Sequence, residues 1–178
     1  MARAPADADA VRRFIERVAR LPRDPTTLYL VGGATAVLEG WRATTIDVDI
    51  RVEPEREEIL RAIPGVKEDL HLNIELASPL DFLPELPGWR DRSPFIAQIG
   101  ALTARHFDFY SQCLAKVERG FGQDRADVEA MIGRGLVDPE RLGALLEQVD
   151  DQLYRFPAVD PVALHEAVAS LAKRGAPG

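Results

Sequence analysis

The sequence predicts an α+β fold: a small mixed β-sheet flanked by helices, followed by a C-terminal helical part. Three observations predict it. In residues 46–52, Ile46, Val48, Ile50 and Val52 alternate with Asp47, Asp49 and Arg51, the period of two that belongs to a strand. A second alternation sets Leu72, Ile74 and Leu76 against His71, Asn73 and Glu75. From Phe109 onward the apolar residues recur at helical spacing, and two Asp-Pro pairs, Asp138-Pro139 and Asp160-Pro161, supply helix starts.

Taken in order, residues 1–7 are rich in Ala and Pro and are expected to fray. Asp7 or Asp9 caps a helix reaching about Leu21, with Val11, Phe14, Ile15, Val18 and Leu21 on one face. Leu28–Val31 reads as a strand that runs into Gly32-Gly33, a short helix and then the aspartate strand. Pro54 opens a helix expected to end near Ile63, because Pro64-Gly65 is a turn signal. Residues 70–76 form the next strand. Pro79, Pro84, Pro87 and Pro94 exclude regular structure from the loop that follows. Phe95–Ile99 and Leu102–Phe107, split by Gly100-Ala101, form a hairpin. Helices are expected over Phe109–Arg119, over Asp124–Arg134 and after each Asp-Pro pair, with a loose tail from Gly175. The organisation is an N-terminal helix (1–24), a sheet module (25–107) and a helical part (108–178), joined as one compact unit.

Composition removes several function classes. A 46% hydrophobic content supports a core and excludes global disorder. A net charge of −7 argues against a broadly basic nucleic-acid coat. The single Cys113 has no internal disulfide partner, and the three histidines His71, His106 and His165 lack zinc-ligand spacing. No apolar run approaches the roughly 20 residues of a membrane span, and the N-terminus lacks the apolar stretch of a signal peptide. These features predict a cytoplasmic protein without membrane partners.

Chemistry concentrates in residues 28–52. Asp47 and Asp49 lie side by side on one strand face, where two carboxylates repel and are costly to bury. A divalent cation with oxygen ligands relieves that conflict, and Mg²⁺ with bound phosphates is the usual form. The preceding Gly32 and Gly33 permit a tight turn into a helix whose N-terminal N–H groups and dipole suit a phosphate. The segment lacks the further acids and the glycine of an EF-hand.

Gly-Gly followed by Asp-x-Asp on a strand resembles the signature of the polymerase-β-like minimal nucleotidyltransferases. Gly40-Trp-Arg-Ala-Thr-Thr-Ile-Asp-Val-Asp is similar to the Gly-x-Arg-x-Ser/Thr…Asp-x-Asp run of the toxin branch, which includes AbiE-type toxins. Ala34 departs from the pattern, which has a small polar residue after the second glycine. A second stretch, Lys116-Val-Glu-Arg119…Asp124-Arg-Ala-Asp127-Val, resembles the basic and acidic segment that follows the sheet in those toxins.

The resemblance covers about residues 28–134. It implies a nucleotidyltransferase core with Asp47, Asp49 and Glu75 as catalytic and Mg²⁺-binding carboxylates. Gly32, Gly33, Arg42, Thr44 and Thr45 are then the nucleotide-binding residues. Lys116 is expected to neutralise the triphosphate or departing pyrophosphate, and Asp127 to orient Lys116 or Arg119. The implied reaction transfers a nucleoside monophosphate from a nucleoside triphosphate to RNA, for instance tRNA, or to a protein, in a toxin–antitoxin setting. Two alternatives stand beside it: a non-catalytic antitoxin or partner-binding protein that keeps the fold, and a catalytically decayed member.

Overall fold

The structure, a computed structural model, describes residues 4–175. The chain divides into two compact units, Met1–Ser78 with Ser93–Phe107, and Pro79–Arg92 with Asp108–Gly178. The N-terminal helix therefore belongs with the sheet. The proline-containing segment from Pro79 to Arg92 belongs with the C-terminal helices instead of with the sheet.

In the first unit the described residues form a five-stranded mixed sheet. Its strands are β1 (Thr26–Val31), β2 (Asp47–Glu53), β3 (Asn73–Leu76), β4 (Phe95–Ile99) and β5 (Leu102–His106), in the spatial order β3-β2-β1-β5-β4. β1 runs antiparallel to β2 and parallel to β5, β2 is parallel to β3, and β4–β5 is the expected hairpin. The unit's helices are α1 (Ala8–Val18), α2 (Gly32–Glu39) and α3 (Glu57–Leu70). The alternation of β2 sorts its two faces. Val48, Ile50 and Val52 join Leu28, Leu30, Ile74, Leu102 and Ala104 in a core with α1 (Val11, Phe14, Ile15, Val18) and α3 (Ile59, Ile63, Val66). At roughly 25 cal/mol per Å² of apolar surface removed from water, this stripe-on-sheet burial is the main favourable term of the unit.

Several local expectations are corrected. Residue 6 is not frayed: Ala6 is buried and exchanges both backbone hydrogen bonds with Thr45, at 2.7 and 2.9 Å. Residues 1–3 and 176–178, where the frayed start and loose tail also fall, lie outside the described residues. α1 stops at Val18, and of the two candidate caps Asp7 is the one used, accepting from the Ala10 N–H at 2.8 Å. α3 runs through Pro64 instead of stopping before it. The lost backbone bond is tolerated because Ile59, Ile63 and Val66 form one buried stripe across the proline. That longer helix shortens the next strand to Asn73–Leu76, with His71 as a left-handed C-cap (φ 54°).

The second unit contains α4 (Trp89–Arg92), α5 (Phe109–Arg119), α6 (Gly122–Gly133), α7 (Pro139–Glu147) and α8 (Pro161–Gly175). The loop expected to be irregular thus holds a 3₁₀ turn at Pro79–Asp81 and the short α4, closed down by buried Leu83, Leu86 and Trp89. α6 begins two residues earlier than expected, because Asp124 accepts from the Phe121 N–H at 3.3 Å. α7 is shorter than the apolar stripe suggested and gives way to a 3₁₀ turn at Asp150–Arg155 that still buries Leu153. Asp138 and Asp160 cap as their Asp-Pro pairs predict, accepting from Arg141 N–H at 2.8 Å and Ala163 N–H at 3.1 Å.

Asp108 anchors the start of α5. Its carboxylate caps the Tyr110 and Ser111 N–H groups, accepts from the Ser111 hydroxyl at 2.8 Å, and receives Arg92 Nε and Nη2 at 3.0 and 2.8 Å. Arg92 also lies over the Tyr110 ring. Asp108 is buried, Arg92 is half-buried and their pairing is bidentate, so removing one member leaves the other charge poorly compensated. Asp108→Ala is expected to destabilise the protein by about 3–5 kcal/mol, read from the urea unfolding midpoint. A loss below about 1 kcal/mol would show that the pair carries no such weight.

Candidate functional site

The site is built on the sheet face opposite the core. β2 leaves β1 across an antiparallel pairing in which Val31 opposes Asp49, and β3 adds Asn73 opposite Asp47 and Glu75 opposite Asp49. Since Val48, Ile50 and Ile74 are committed to the core, strand alternation sends Asp47, Asp49, Asn73 and Glu75 to the other side. Asp47 and Asp49 are half-buried there and Glu75 is exposed. The structure therefore brings the three predicted carboxylates onto one face of two neighbouring strands.

Asn73 stands among them, a residue that sequence reasoning left out of the site. Its Nδ2 donates to Asp47 Oδ1 at 2.5 Å and to Glu75 Oε1 at 3.2 Å. The only available signal was its place in the alternation beside Glu75, and a strand asparagine has no motif of its own. Among the described residues, no group of three or more His, Cys, Asp and Glu side chains is placed to hold a metal ion. The donor set is nonetheless all oxygen, which is the chemistry that suits Mg²⁺.

The turn from β1 into α2 abuts this face. Gly32 adopts φ +60°, and a Cβ there would lie 3.1 Å from Asp49 Oδ2. Asp49 thus sits directly against the turn, in space that only glycine leaves without strain. Gly33 is required for a different reason: a Cβ would fall 1.9 Å from Thr45 Oγ1 and 2.6 Å from Thr45 Cβ. Thr45 is buried, its hydroxyl donates to the Asp47 carbonyl at 3.0 Å, and its backbone holds Ala6. Packing accounts for Thr45, whereas Thr44 is exposed. Arg42 is half-buried, with Nη1 3.3 Å from the place where a Gly33 Cβ would stand. Its guanidinium therefore lies beside the first turn of α2. Ala34, the departure from the resembled pattern, is fully buried in the core.

α2 is held from below. His106 on β5 lies 3.1 Å from the Thr35 hydroxyl through Nδ1 and 3.0 Å from Glu39 Oε1 through Nε2. Burial lowers its pKa to about 4, a pull that prevails over the neighbouring Glu39 carboxylate, which favours the charged ring. Neutral His106 donates from Nε2 to Glu39, and the Thr35 hydroxyl beside Nδ1 donates to the Leu30 carbonyl at 3.1 Å.

Lys116 and Asp127 belong to the second unit. Lys116 Nζ donates to Asp127 Oδ2 at 2.7 Å and lies 3.7 Å from Asp124 Oδ1, and Arg119 grips Asp124 at 2.8 and 2.6 Å. Gln123 adds a bond to Asp127 at 3.3 Å. Lys116, Asp124 and Asp127 are all buried. Burial pushes Asp124 up, but the charges of Arg119 and Lys116 and the Phe121 N–H together hold it below the usual carboxylate range. Two cations thus meet two carboxylates in a closed, neutral set.

Comparison with protein-family models, with curated proteins and with solved structures finds no match. Among the described residues no helix is long and apolar enough to cross a membrane.

Two predictions follow from this geometry. Gly33→Ala forces Thr45 or α2 to move and is expected to cost at least about 1–3 kcal/mol in urea unfolding. Stability equal to the parent's would mean that the close approach is not constraining. For His106 the folded pKa lies below its ordinary value of 6.5, so its contribution is complete above that value and is lost as pH falls toward 4. The unfolding midpoint should therefore drop between pH 6.5 and 4.5, by up to about 3 kcal/mol from this group. His106→Gln should flatten that slope, and an unchanged slope would remove His106 as its source.

Proposed function

We propose that the first unit is a Mg²⁺-dependent nucleotidyltransferase domain of the polymerase-β-like type, acting from a nucleoside triphosphate onto an RNA, such as tRNA, or onto a protein. The observation that carries the reading is the meeting of Asp47, Asp49 and Glu75 on one sheet face against the Gly32-Gly33 turn. Neither feature alone has this force. Strand acids are common on open faces, and paired glycines often end strands. Carboxylates seated against a turn that opens a helix combine a place for cations with a place for phosphate.

When bound, Mg²⁺ supplies charge neutralisation for the triphosphate and lowers the pKa of an acceptor hydroxyl. The remaining work falls to the chain's own groups. The α2 N-terminus and Arg42 lie together and suit phosphate oxygens, by dipole, N–H groups and a planar guanidinium. Asp47 and Asp49 hold the reacting end of the nucleotide against β2. Glu75, the most exposed of the acids, receives the acceptor's proton at its carboxylate. The acceptor oxygen forms a bond to the α-phosphorus, the bond from that phosphorus to the bridging oxygen breaks, and pyrophosphate leaves with the electron pair. Lys116, to which the resemblance gives a phosphate-neutralising role with Asp127 orienting it or Arg119, is buried in its pair with Asp127, so this reading assigns the second unit's network to structure.

The toxin–antitoxin setting, with a cognate toxin or antitoxin as partner, rests on the resemblance alone. A non-catalytic, partner-binding protein is the competing reading. Label transfer decides between them: incubation with each labelled nucleoside triphosphate, Mg²⁺, total RNA and candidate proteins should mark one acceptor. Asp47→Asn with Asp49→Asn should lower transfer by at least about a hundredfold while circular dichroism shows an intact fold. Nucleotide binding without transfer to any acceptor would favour the binding protein. Parent-level transfer by the double variant would remove these aspartates from the chemistry.

A further inference from the structure

We propose that β4 is a pairing edge, through which two copies of this chain join their sheets as an antiparallel dimer. The strand order leaves the sheet two edges, β3 and β4. They differ in kind. β3 is four residues long and carries the exposed Glu75, an edge charge of the sort that discourages a neighbouring strand. β4 reads Phe95-Ile96-Ala97-Gln98-Ile99, with no charge and no proline, and both Phe95 and Ile99 are exposed. Among the described residues β4 pairs with β5 alone, and Phe95 to Ile99 make no hydrogen bond outside that ladder.

The direction of the free backbone groups follows from β5 and the residues flanking it. Odd-numbered positions face β1, since the Ala101 carbonyl accepts from the Thr26 N–H at 2.9 Å and the Phe107 N–H donates to the Leu30 carbonyl at 2.8 Å. Even-numbered positions face β4, as the His106 N–H does in donating to the Pro94 carbonyl at 2.9 Å. Leu102 and Ala104 therefore bond to Ile99 and Ala97, their register partners, and Gln98 between them turns its N–H and C=O outward. The register shift between Phe95 and Ala97 blunts the start of the edge and leaves Ala97 to Ile99 regular.

A two-fold axis at Gln98 satisfies this edge with a copy of itself. Each Gln98 N–H then donates to the C=O of the partner's Gln98, and each Ile99 lies against the partner's Ala97, on the face where Leu102 and Ala104 enter the core. No like charges meet along the strand, which matters for a chain of net charge −7. A charged partner strand would find no complement there, whereas a second copy needs none. The pairing also closes at two copies, because the joined sheet ends in β3 on both sides, each with its Glu75. A strand of this length spans only about 17 Å, so the contact falls below the roughly 1,200 Å² of a stable interface and the association is weak.

The test is sedimentation of the full chain from about 10 µM to about 1 mM, with circular dichroism to confirm folding. The parent should pass from monomer to dimer within that range. Added salt should move the transition to lower concentration, because it screens the repulsion between two chains of charge −7 while the contact has no ion pair to lose. Gln98→Pro removes an N–H that β5 does not use, and Ile99→Lys places a cation on the edge. Each is expected to weaken dimerisation at least about tenfold, and if Gln98→Pro does not fold, Ile99→Lys decides. Leu76→Lys, on the other edge, should leave dimerisation unchanged. A parent that stays monomeric at about 1 mM would overturn the inference. So would a dimer that persists in both β4 variants, that Leu76→Lys abolishes, or that salt dissociates.

Discussion

Like charges placed side by side on one strand are the constraint from which the first unit's arrangement follows. Asp47 and Asp49 cannot separate, because the alternation that puts Val48, Ile50 and Val52 into the core fixes both acids on the opposite face. β3 then brings Glu75 to the same face instead of a cation. What surrounds the acids is consistent with that burden. Asn73 offers a donor to two of them, Gly32 leaves room for the Asp49 carboxylate, and Thr45 fastens the start of β2 through the Asp47 carbonyl. α2, which carries the glycine turn, is in turn fixed to β5 through Thr35, Glu39 and a neutral His106.

The second unit meets the same electrostatic problem and answers it differently. Asp124 and Asp127 are more deeply buried than the acids of the sheet, yet Arg119 and Lys116 face them directly. Asp108 likewise has Arg92. Breaking such pairs leaves an uncompensated buried charge, so they resist intrusion by any ligand. On the sheet, Asp47 and Glu75 accept from the Asn73 amide, Asp49 lies against the Gly32 turn, and Glu75 is exposed. The second unit's acids are held in buried ion pairs, whereas the sheet acids stand on a half-buried to exposed face.

Much of this was legible in the sequence wherever a local rule decides the outcome. The β2 alternation, the Asp-Pro helix starts and the hairpin at Gly100-Ala101 each depend on neighbours in the chain, and each stands in the structure. The failures share a different cause. Pro64 reads as a stop, but its helix is held by a buried stripe against other elements, a tertiary fact. Ala6 reads as frayed because its partner, Thr45, lies far along the chain. A further constraint on Gly33, its close approach to Thr45, is visible only once the two segments are folded together. Lys116 reads as a phosphate-neutralising cation, with Asp127 orienting it or Arg119; the two do pair, but the burial of that pair comes from helix packing that the spacing alone does not dictate. Asn73 was missed for the same reason: its meaning comes from what stands opposite it.

The contrast between the two units also bears on the choice between an enzyme and a scaffold. A protein that used this fold only to present a surface would be steadier with neutral residues at positions 47 and 49, where nothing in the core requires acids. The chain is able to silence buried carboxylates with arginine and lysine, and it does so in the second unit. On the sheet, Asp47 accepts from the neutral Asn73 amide, and Glu75 remains exposed. On the reading proposed above, repulsion that is costly in the cation-free state would become favourable once a divalent ion sat among the oxygens. The electrostatics of this face are thus in keeping with the cation-dependent reading proposed above, and they rest on residues that folding alone does not need.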